Sequence, residues 1–183
     1  MKLLFIGPPG AGKGTQAGKV AARLGIPHIS TGDMFRDHVS RCTELGEEVD
    51  AIMKAGDYVP DELTVAMLSE RIDQQDAQDG FILDGFPRTE AQVDSLDGLL
   101  GVDGLDRVVV FEVAEDELTE RLLDRGRPDD TEETIRNRFR IYLDQTQPLI
   151  DTYEERGITV RVDGIGEVEE VSERILDKLH SEL

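Results

Sequence analysis

Short apolar runs alternate with longer amphipathic stretches along this chain. The apolar runs have the length and composition of buried parallel strands and lie at 2–6, 80–84, 107–113 and 158–162, and 28–30 is a further short strand candidate. The stretches between them repeat apolar residues at helical spacing, and several end at glycine or proline. This alternation predicts an α/β fold, a five-stranded parallel sheet with helices on both faces and right-handed crossovers.

Two predicted helices fall where a single crossover would be enough. The first is expected to begin at a capping Thr31, and the second to run over about 43–55 and stop at Gly56. We therefore expect a small helical insertion over 30–59. A further helix should begin after it, with Asp61 as its cap.

The charge balance restricts the class of partner. Asp and Glu number 40 against 20 Lys and Arg, a formal net charge of −20. A nucleic-acid partner would require a basic face, so we expect none. The excess of acid fits either an ordinary acidic surface or a salt-rich cytoplasm, and the sequence leaves both open.

The N-terminal apolar run is interpreted as a strand and not as a signal peptide, because glycines and Lys13 follow it. No apolar run reaches the length that spans a membrane. Cys42 is the only cysteine, which excludes an intrachain disulfide and a cysteine zinc cluster. Together these features predict a cytoplasmic protein without a membrane partner.

A glycine-rich turn follows the first predicted strand. The segment Gly7-Pro-Pro-Gly-Ala-Gly-Lys13 fits G-x-x-x-x-G-K between a buried strand and a helix, which is the context of a P-loop. Backbone N–H groups and the helix N-terminus would bind phosphates there, and Lys13 would reach the β- and γ-phosphates. Gly14 follows the lysine and the hydroxyl comes at Thr15, so a direct Mg²⁺ contact is doubtful. Asp84, at the end of a strand, is the expected second anchor for Mg²⁺ and its waters.

Arginines stand in glycine-rich or turn contexts at several places. They are Arg36, Arg88, Arg121, Arg125, Arg127 and Arg138. Such a set predicts phosphoryl transfer between two anionic substrates, whose transition state needs cations and positioning more than an acid or a base. A guanine-reading N-K-x-D motif is impossible, because Arg138 follows the only asparagine, Asn137. The three histidines are expected to be structural or at the surface.

Five segments in order along the chain resemble the signature segments of adenylate kinases. They are GPPGAGKGTQ (7–16), ISTGDMFR (29–36), DGFPRTEAQ (84–92), RGRPDDTEETIRNR (125–138) and TQPLI (146–150). The resemblance implies one P-loop domain over 1–183, a three-layer sandwich. Its core would comprise 1–29, 60–124 and 132–183, with a monophosphate-binding insertion at 30–59 and a minimal lid at 125–131.

The resemblance also implies the binding residues. Those for ATP would be Gly10, Ala11, Gly12, Lys13, Gly14, Thr15, Arg125 and Gly166. Those for AMP would be Thr31, Arg36, Asp57, Tyr58, Val59, Gly85, Phe86, Pro87, Arg88, Gln92, Arg127 and Arg138. Thr31 and Gln92 would contact the adenine of AMP. The catalytic residues would be Lys13 and the arginines Arg88, Arg121, Arg125, Arg127 and Arg138.

The segment that should form the lid is shorter than in most members of the family. One residue, Gly126, separates Arg125 from Arg127. With one cysteine, no structural zinc is expected, and Asp129 and Asp130 should cap the next helix and order the lid arginines. The implied reaction is Mg²⁺-dependent transfer from ATP to AMP, giving two ADP. We expect a monomer, because the sequence shows no unexplained apolar surface helix. A UMP/CMP-type kinase and a regulatory P-loop ATPase are the alternatives, and Thr31 with Gln92 favours AMP.

Overall fold

The structure is a computed structural model that describes residues 1–102, 104–125, 127 and 130–181, with the backbone alone at 115, 116 and 125. Its strands are β1 (Lys2–Ile6), β2 (His28–Ser30), β3 (Phe81–Asp84), β4 (Arg107–Glu112) and β5 (Thr159–Asp163). They form one sheet in the order β2-β3-β1-β4-β5, and every neighbouring pair is parallel. The predicted five-stranded parallel sheet is confirmed.

Helices connect the strands. They are α1 (Lys13–Leu24), α2 (Thr31–Ser40), α3 (Glu44–Ala55), α4 (Asp61–Ile72), α5 (Glu90–Leu100), α6 (Glu115–Arg125), α7 (Glu132–Ile141), α8 (Leu149–Glu155) and α9 (Val168–Ser181). A short 3₁₀ turn lies at Gln75–Ala77. A π-helical turn, Tyr142–Thr146, separates α7 from α8 just before Pro148, whose ring cannot continue a helix.

Two helix caps differ from the sequence-based prediction. The hydroxyl of Ser30 accepts from the backbone N–H of Asp33, so Ser30 is the cap of α2 and Thr31 is its first residue. Pro60 occupies the cap position of α4, while Asp61 lies inside the first turn. In both cases two adjacent residues are each of a type that favours the start of a helix. The side chains that we expected to cap, Thr31 and Asp61, instead contact other parts of the fold.

The alternation of side chains along β1 divides the core between the two faces of the sheet. Leu4 and Ile6 are buried with residues of α4, α5 and α8. Leu3 and Phe5 are buried on the other face with residues of α1, α6 and α9. This central strand is covered on both sides, as in other three-layer α/β folds.

The helical segment between β2 and β3 has a small apolar cluster of its own. Its buried members are Phe35, Val49, Val59 and Met67. The predicted insertion at 30–59 therefore packs around a cluster to which α4 contributes Met67.

Within the described residues we find no helix whose length and hydropathy would let it traverse a bilayer.

Candidate active site

A cleft of about 850 Å³ opens above the C-terminal ends of the central strands. Predicted binding residues from both halves of the site line it. They are Gly10, Ala11, Gly12, Lys13, Gly14, Thr15, Thr31, Arg36, Asp57, Tyr58, Val59, Gly85, Pro87, Arg88, Gln92, Arg121, Arg127, Arg138 and Gly166. Open parallel sheets place ligand sites at this edge.

The phosphate loop joins β1 to α1. Gly10 and Gly12 have φ angles of 85° and 87°, which glycine adopts without strain. A side chain at Gly10 would also lie 2.7 Å from the carbonyl oxygen of Leu118. Nζ of Lys13 donates to the carbonyls of Gly7 and Pro8, at 2.8 and 2.9 Å. The lysine is thus held across its own loop, where phosphates would approach.

Asp84 ends β3 beside this loop. Its side chain is 12% exposed, and its Oδ2 lies 3.3 Å from Nε2 of His28. Burial raises the pKa of Asp84, but the hydrogen bond with His28 and the charges of Lys13 and Arg88 outweigh it, so this pKa is lowered. The carboxyl group is therefore ionised, although little of it reaches water.

Arg88 projects toward the cleft from the turn after β3. Its Nε donates to the carbonyl of Gly85 at 2.7 Å, and its guanidinium stacks over the ring of Tyr58 at 4.9 Å. Thr31, which is buried, donates from its hydroxyl to the same carbonyl at 2.8 Å. The two residues expected to contact opposite ends of AMP thus share one backbone oxygen. The φ angle of Gly85 is 81°.

The amide of Gln92 is buried and already has two protein partners. Its Oε1 accepts from the backbone N–H of Arg88 at 2.8 Å, and its Nε2 donates to Oδ1 of Asp61 at 2.6 Å. Asp61 also accepts from the hydroxyl of Thr89 at 3.0 Å. The amide retains one N–H for a base, and the role of Asp61 is to orient Gln92 and not to cap α4.

A carboxylate lies between two of the predicted phosphate ligands. Nη2 of Arg36 donates to Oδ1 of Asp33 at 2.5 Å, and Nη2 of Arg127 lies 3.8 Å from the same oxygen. Partial burial raises the pKa of Asp33, but Arg36 and Arg127 outweigh it, so this pKa is lowered. These contacts bring the start of α2 and the segment before α7 together at one side of the cleft.

Arg138 on α7 is held by Asp130. Its Nη1 donates to Oδ1 of Asp130 at 2.8 Å, and that carboxylate is fully buried. The cap of α7 is Thr131, whose hydroxyl accepts from the N–H of Thr134 at 3.2 Å. Asp130 therefore orders Arg138 on α7, and the prediction that it caps this helix is wrong; the prediction that it orders the arginines of the lid stays a prediction. Gly126, Asp129 and the Arg125 side chain lie outside the described residues.

The other end of the cleft is tied to the last helix. Nη1 of Arg121 donates to the carbonyl of Gly164 at 3.3 Å, next to the loop at Gly166. On α1, the buried Gln16 donates to the carbonyl of Val168 at 3.0 Å and accepts from the hydroxyl of Ser172 at 2.6 Å. The phosphate-loop helix α1 and the first turns of α9 are therefore fixed to each other.

The structure adds partners that the sequence analysis missed. His28 contacts Asp84 across adjacent strands, although we expected it to be structural or exposed. The register of β2 on β3, with Ser30 opposite Asp84, could have indicated this proximity. Phe86, expected at the AMP site, is 1% exposed and packs in the core below the cleft.

The residues beside the phosphate loop fit a nucleotide-carried Mg²⁺. Asp84 places an ionised carboxylate beside the loop that could hold water ligands of the ion, and the exposed hydroxyl of Thr15 lines the same cleft. Among the described residues no group of three or more His, Cys, Asp or Glu side chains is placed to hold a metal ion. Most ligands would therefore come from phosphate and water, which Mg²⁺ prefers.

Comparisons of this sequence with a family model and with known proteins all match adenylate kinases. The family model described as adenylate kinase matches residues 5–158. An adenylate kinase of Nocardia farcinica is 52% identical over 98% of this chain and 99% of its own length. Proteins of the same name from Nocardioides sp. and Clavibacter michiganensis are 54% and 53% identical, over 98% and 95% of this chain and 97% and 90% of their own lengths.

Proposed function

The chain belongs to the adenylate kinase family, and from this premise we propose that its cleft holds ATP over the phosphate loop and AMP under the helical insertion. Its activity is reversible phosphoryl transfer from ATP to AMP, giving two ADP. One observation supports this assignment of the two sites. Residues predicted to bind ATP and residues predicted to bind AMP line the same cleft.

In the proposed arrangement a phosphate oxygen of AMP attacks the γ-phosphorus of ATP. A bond forms from this oxygen to phosphorus while the bond from phosphorus to the β,γ-bridging oxygen breaks, and ADP leaves on each side. The attacking group is already an anion, so no side chain must remove a proton. The protein's contribution is therefore alignment and positive charge.

The positive charge would come from side chains that already line the cleft. Lys13 would bind the β- and γ-phosphates, and Arg88 with Arg36 the phosphate of AMP. Arg127 and Arg138 also line the cleft, and they would bind phosphate oxygens between the two nucleotides. Arginine suits this task because its planar donors bind two phosphate oxygens at once.

We propose Mg²⁺ as the cofactor, bound with ATP. It would neutralise developing charge on the phosphate oxygens, while Asp84 and Thr15 would hold its water ligands. The ionised state of Asp84, which its lowered pKa ensures, suits this role.

The domain division follows the same assignment. The segment 30–59 would be the mobile monophosphate-binding unit, and 125–131 a lid too short to fold over the phosphates alone. We further propose a cytoplasmic monomer, because the free Cys42 is exposed and the exposed large apolar side chains are scattered along the chain. Sedimentation velocity of the purified protein tests the monomer.

The decisive experiment is a coupled assay for ADP. We expect ADP only when ATP, AMP and Mg²⁺ are all present, and we expect EDTA to abolish it. UMP or CMP in place of AMP should support much slower turnover. Equal rates with UMP or CMP would favour the UMP/CMP-type kinase, and ADP formation without any monophosphate would favour an ATPase.

A further inference from the structure

The end of helix α3 rests directly on helix α7. In every helix the last four carbonyls lack partners within the helix. In α3 the N–H groups of Gly56 and Asp57 return to the carbonyls of Met53 and Ile52, at 3.1 and 3.2 Å. The carbonyls of residues 54 and 55 need partners from elsewhere.

Two side chains of α7 supply them. The hydroxyl of Thr134 donates to the carbonyl of Lys54 at 3.0 Å. Nδ2 of Asn137 donates to the carbonyl of Ala55 at 2.9 Å and also to Oδ1 of Asp57 at 2.7 Å. One amide carries two N–H groups, so both bonds form together. Helix α7 therefore completes the C-terminal cap of a helix that lies about 80 residues earlier in the chain.

The close approach depends on Gly56. A Cβ there would lie 2.8 Å from Cγ2 and 2.9 Å from the carbonyl oxygen of Thr134, so only glycine permits this contact. Its φ angle of 78° also favours glycine. Two residues on, the hydroxyl of Tyr58 lies 2.8 Å from Oγ1 of Thr146, beyond the end of α7. The segment 55–58 is thus held at both ends.

We propose that Asn137, with Thr134, is a positioning residue that latches the AMP-binding segment 55–59 onto the helix that presents Arg138. The proposal rests on the proposed function, since it concerns the AMP side of the cleft. Asp57, Tyr58 and Val59 line that side, whereas Asn137 does not line the cleft and acts through them. Because Arg138 is the next residue, the latch joins closure over AMP to the placement of this arginine.

The latch should affect the two substrates unequally. The ATP side is built from the phosphate loop, α1 and the loop before α9. Gln16 and Ser172 join α1 to α9, and none of these elements makes the latch contacts. Loss of the latch should therefore weaken AMP binding and leave ATP binding nearly unchanged. A side chain that served only the stability of the fold would alter both substrates in parallel.

The first test compares Asn137→Ala and Thr134→Val with the matched control Gln145→Ala, which removes an exposed carboxamide shortly after α7. We expect the KM for AMP to rise about tenfold in Asn137→Ala, as the loss of two hydrogen bonds predicts. The KM for ATP should stay within about twofold in the same variant. The control should match the parent in both. An unchanged KM for AMP, or equal rises for ATP and AMP, would overturn the proposal.

The second test asks whether exchanging the residue types of Asn137 and Asp57 restores AMP binding. Asn137→Asp places a carboxylate against that of Asp57 and should raise the KM for AMP at least as far as Asn137→Ala. Adding Asp57→Asn restores a donor and an acceptor at these positions and should lower that KM again. If the double variant is no better than Asn137→Asp, the pair does not act as a latch.

The two proposals fail in different ways. If the parent protein makes no ADP from ATP and AMP, the proposed function is wrong. If the parent is active and Asn137→Ala leaves the KM for AMP unchanged, only the latch is wrong. Thermal unfolding of each variant, followed by circular dichroism, verifies that the compared proteins are folded.

Discussion

Arg88 offers a graded test of how the cleft holds its acceptor phosphate. Its backbone is fixed at both ends, since its N–H donates to Gln92 and its carbonyl accepts from Thr146 at 2.9 Å. Its guanidinium is oriented by the carbonyl of Gly85 and by the ring of Tyr58. We consider three substitutions, Arg88→Ala, Arg88→Lys and Tyr58→Leu, which remove progressively less of this arrangement.

The expected losses follow from these contacts. Arg88→Ala removes the charge and both phosphate donors, and should lower kcat/KM for AMP about a thousandfold, or about 4 kcal/mol. Arg88→Lys keeps the charge but loses the Nε bond to Gly85 and the planar pair of donors, which should cost about 2 kcal/mol, or about thirtyfold. Tyr58→Leu removes only the ring and its hydroxyl contact, for about 1 kcal/mol, or about fivefold.

The assay is the initial rate of ADP formation at varied AMP and saturating ATP, with the KM for ATP measured as the control. The three variants should rank in the stated order, and the KM for ATP should change little. A loss of less than tenfold in Arg88→Ala would refute the role of this arginine in transfer. Equal losses in Arg88→Lys and Arg88→Ala would refute the claim that its charge matters separately from its shape.

Three further predictions concern other parts of the cleft. Lys13→Ala should nearly abolish kcat with little change in thermal stability, because the side chain lies in the phosphate loop, donates to two carbonyls of that loop and has an electrostatic role; substantial retained turnover would contradict the phosphate-loop assignment. Thr31→Ala should reduce the preference for AMP over UMP and CMP more than it reduces the best rate, and an unchanged ratio of kcat/KM values would count against its placement at the base. The pKa of Asp84 is lowered in the folded state, so the unfolded state binds more protons at acid pH. Ionised Asp84 therefore stabilises the fold fully above about pH 4, and this contribution is lost as the pH falls through the folded pKa. Asp84→Asn should therefore reduce the dependence of the free energy of unfolding on pH below about pH 4, and an identical acid-unfolding curve would contradict this.

The fold could be predicted closely because its signals are local. Apolar runs fix the five strands, and glycines at the ends of α1 and α3 adopt the left-handed conformation that stops a helix. The caps of α2 and α4 were misplaced by one residue, because neighbouring residues are both suited to a helix start. Only the tertiary partner of each side chain decides between them, as Thr31 shows by binding Gly85.

The site was predicted less completely. Resemblance to a family identified many residues that line the cleft, and the structure brings the described ones together except Phe86, which is buried in the core. Their partners were missed, because His28 with Asp84, Asp61 with Gln92 and Asn137 with Asp57 are 56, 31 and 80 residues apart. Each pair depends on strand order or helix packing, which no short pattern in the sequence encodes.

The strand order also determines when the sheet can begin to form during synthesis. β1 and β2 are the first strands made, yet they are not neighbours, because β3 lies between them and pairs with both. The other neighbour of β1 is β4, which is made later still. Until Phe81–Asp84 has left the ribosome, β1 and β2 have no partner strand, and unpaired strand edges promote aggregation. We therefore expect nascent chains shorter than this to engage chaperones that bind extended apolar segments, and longer ones to be released from them.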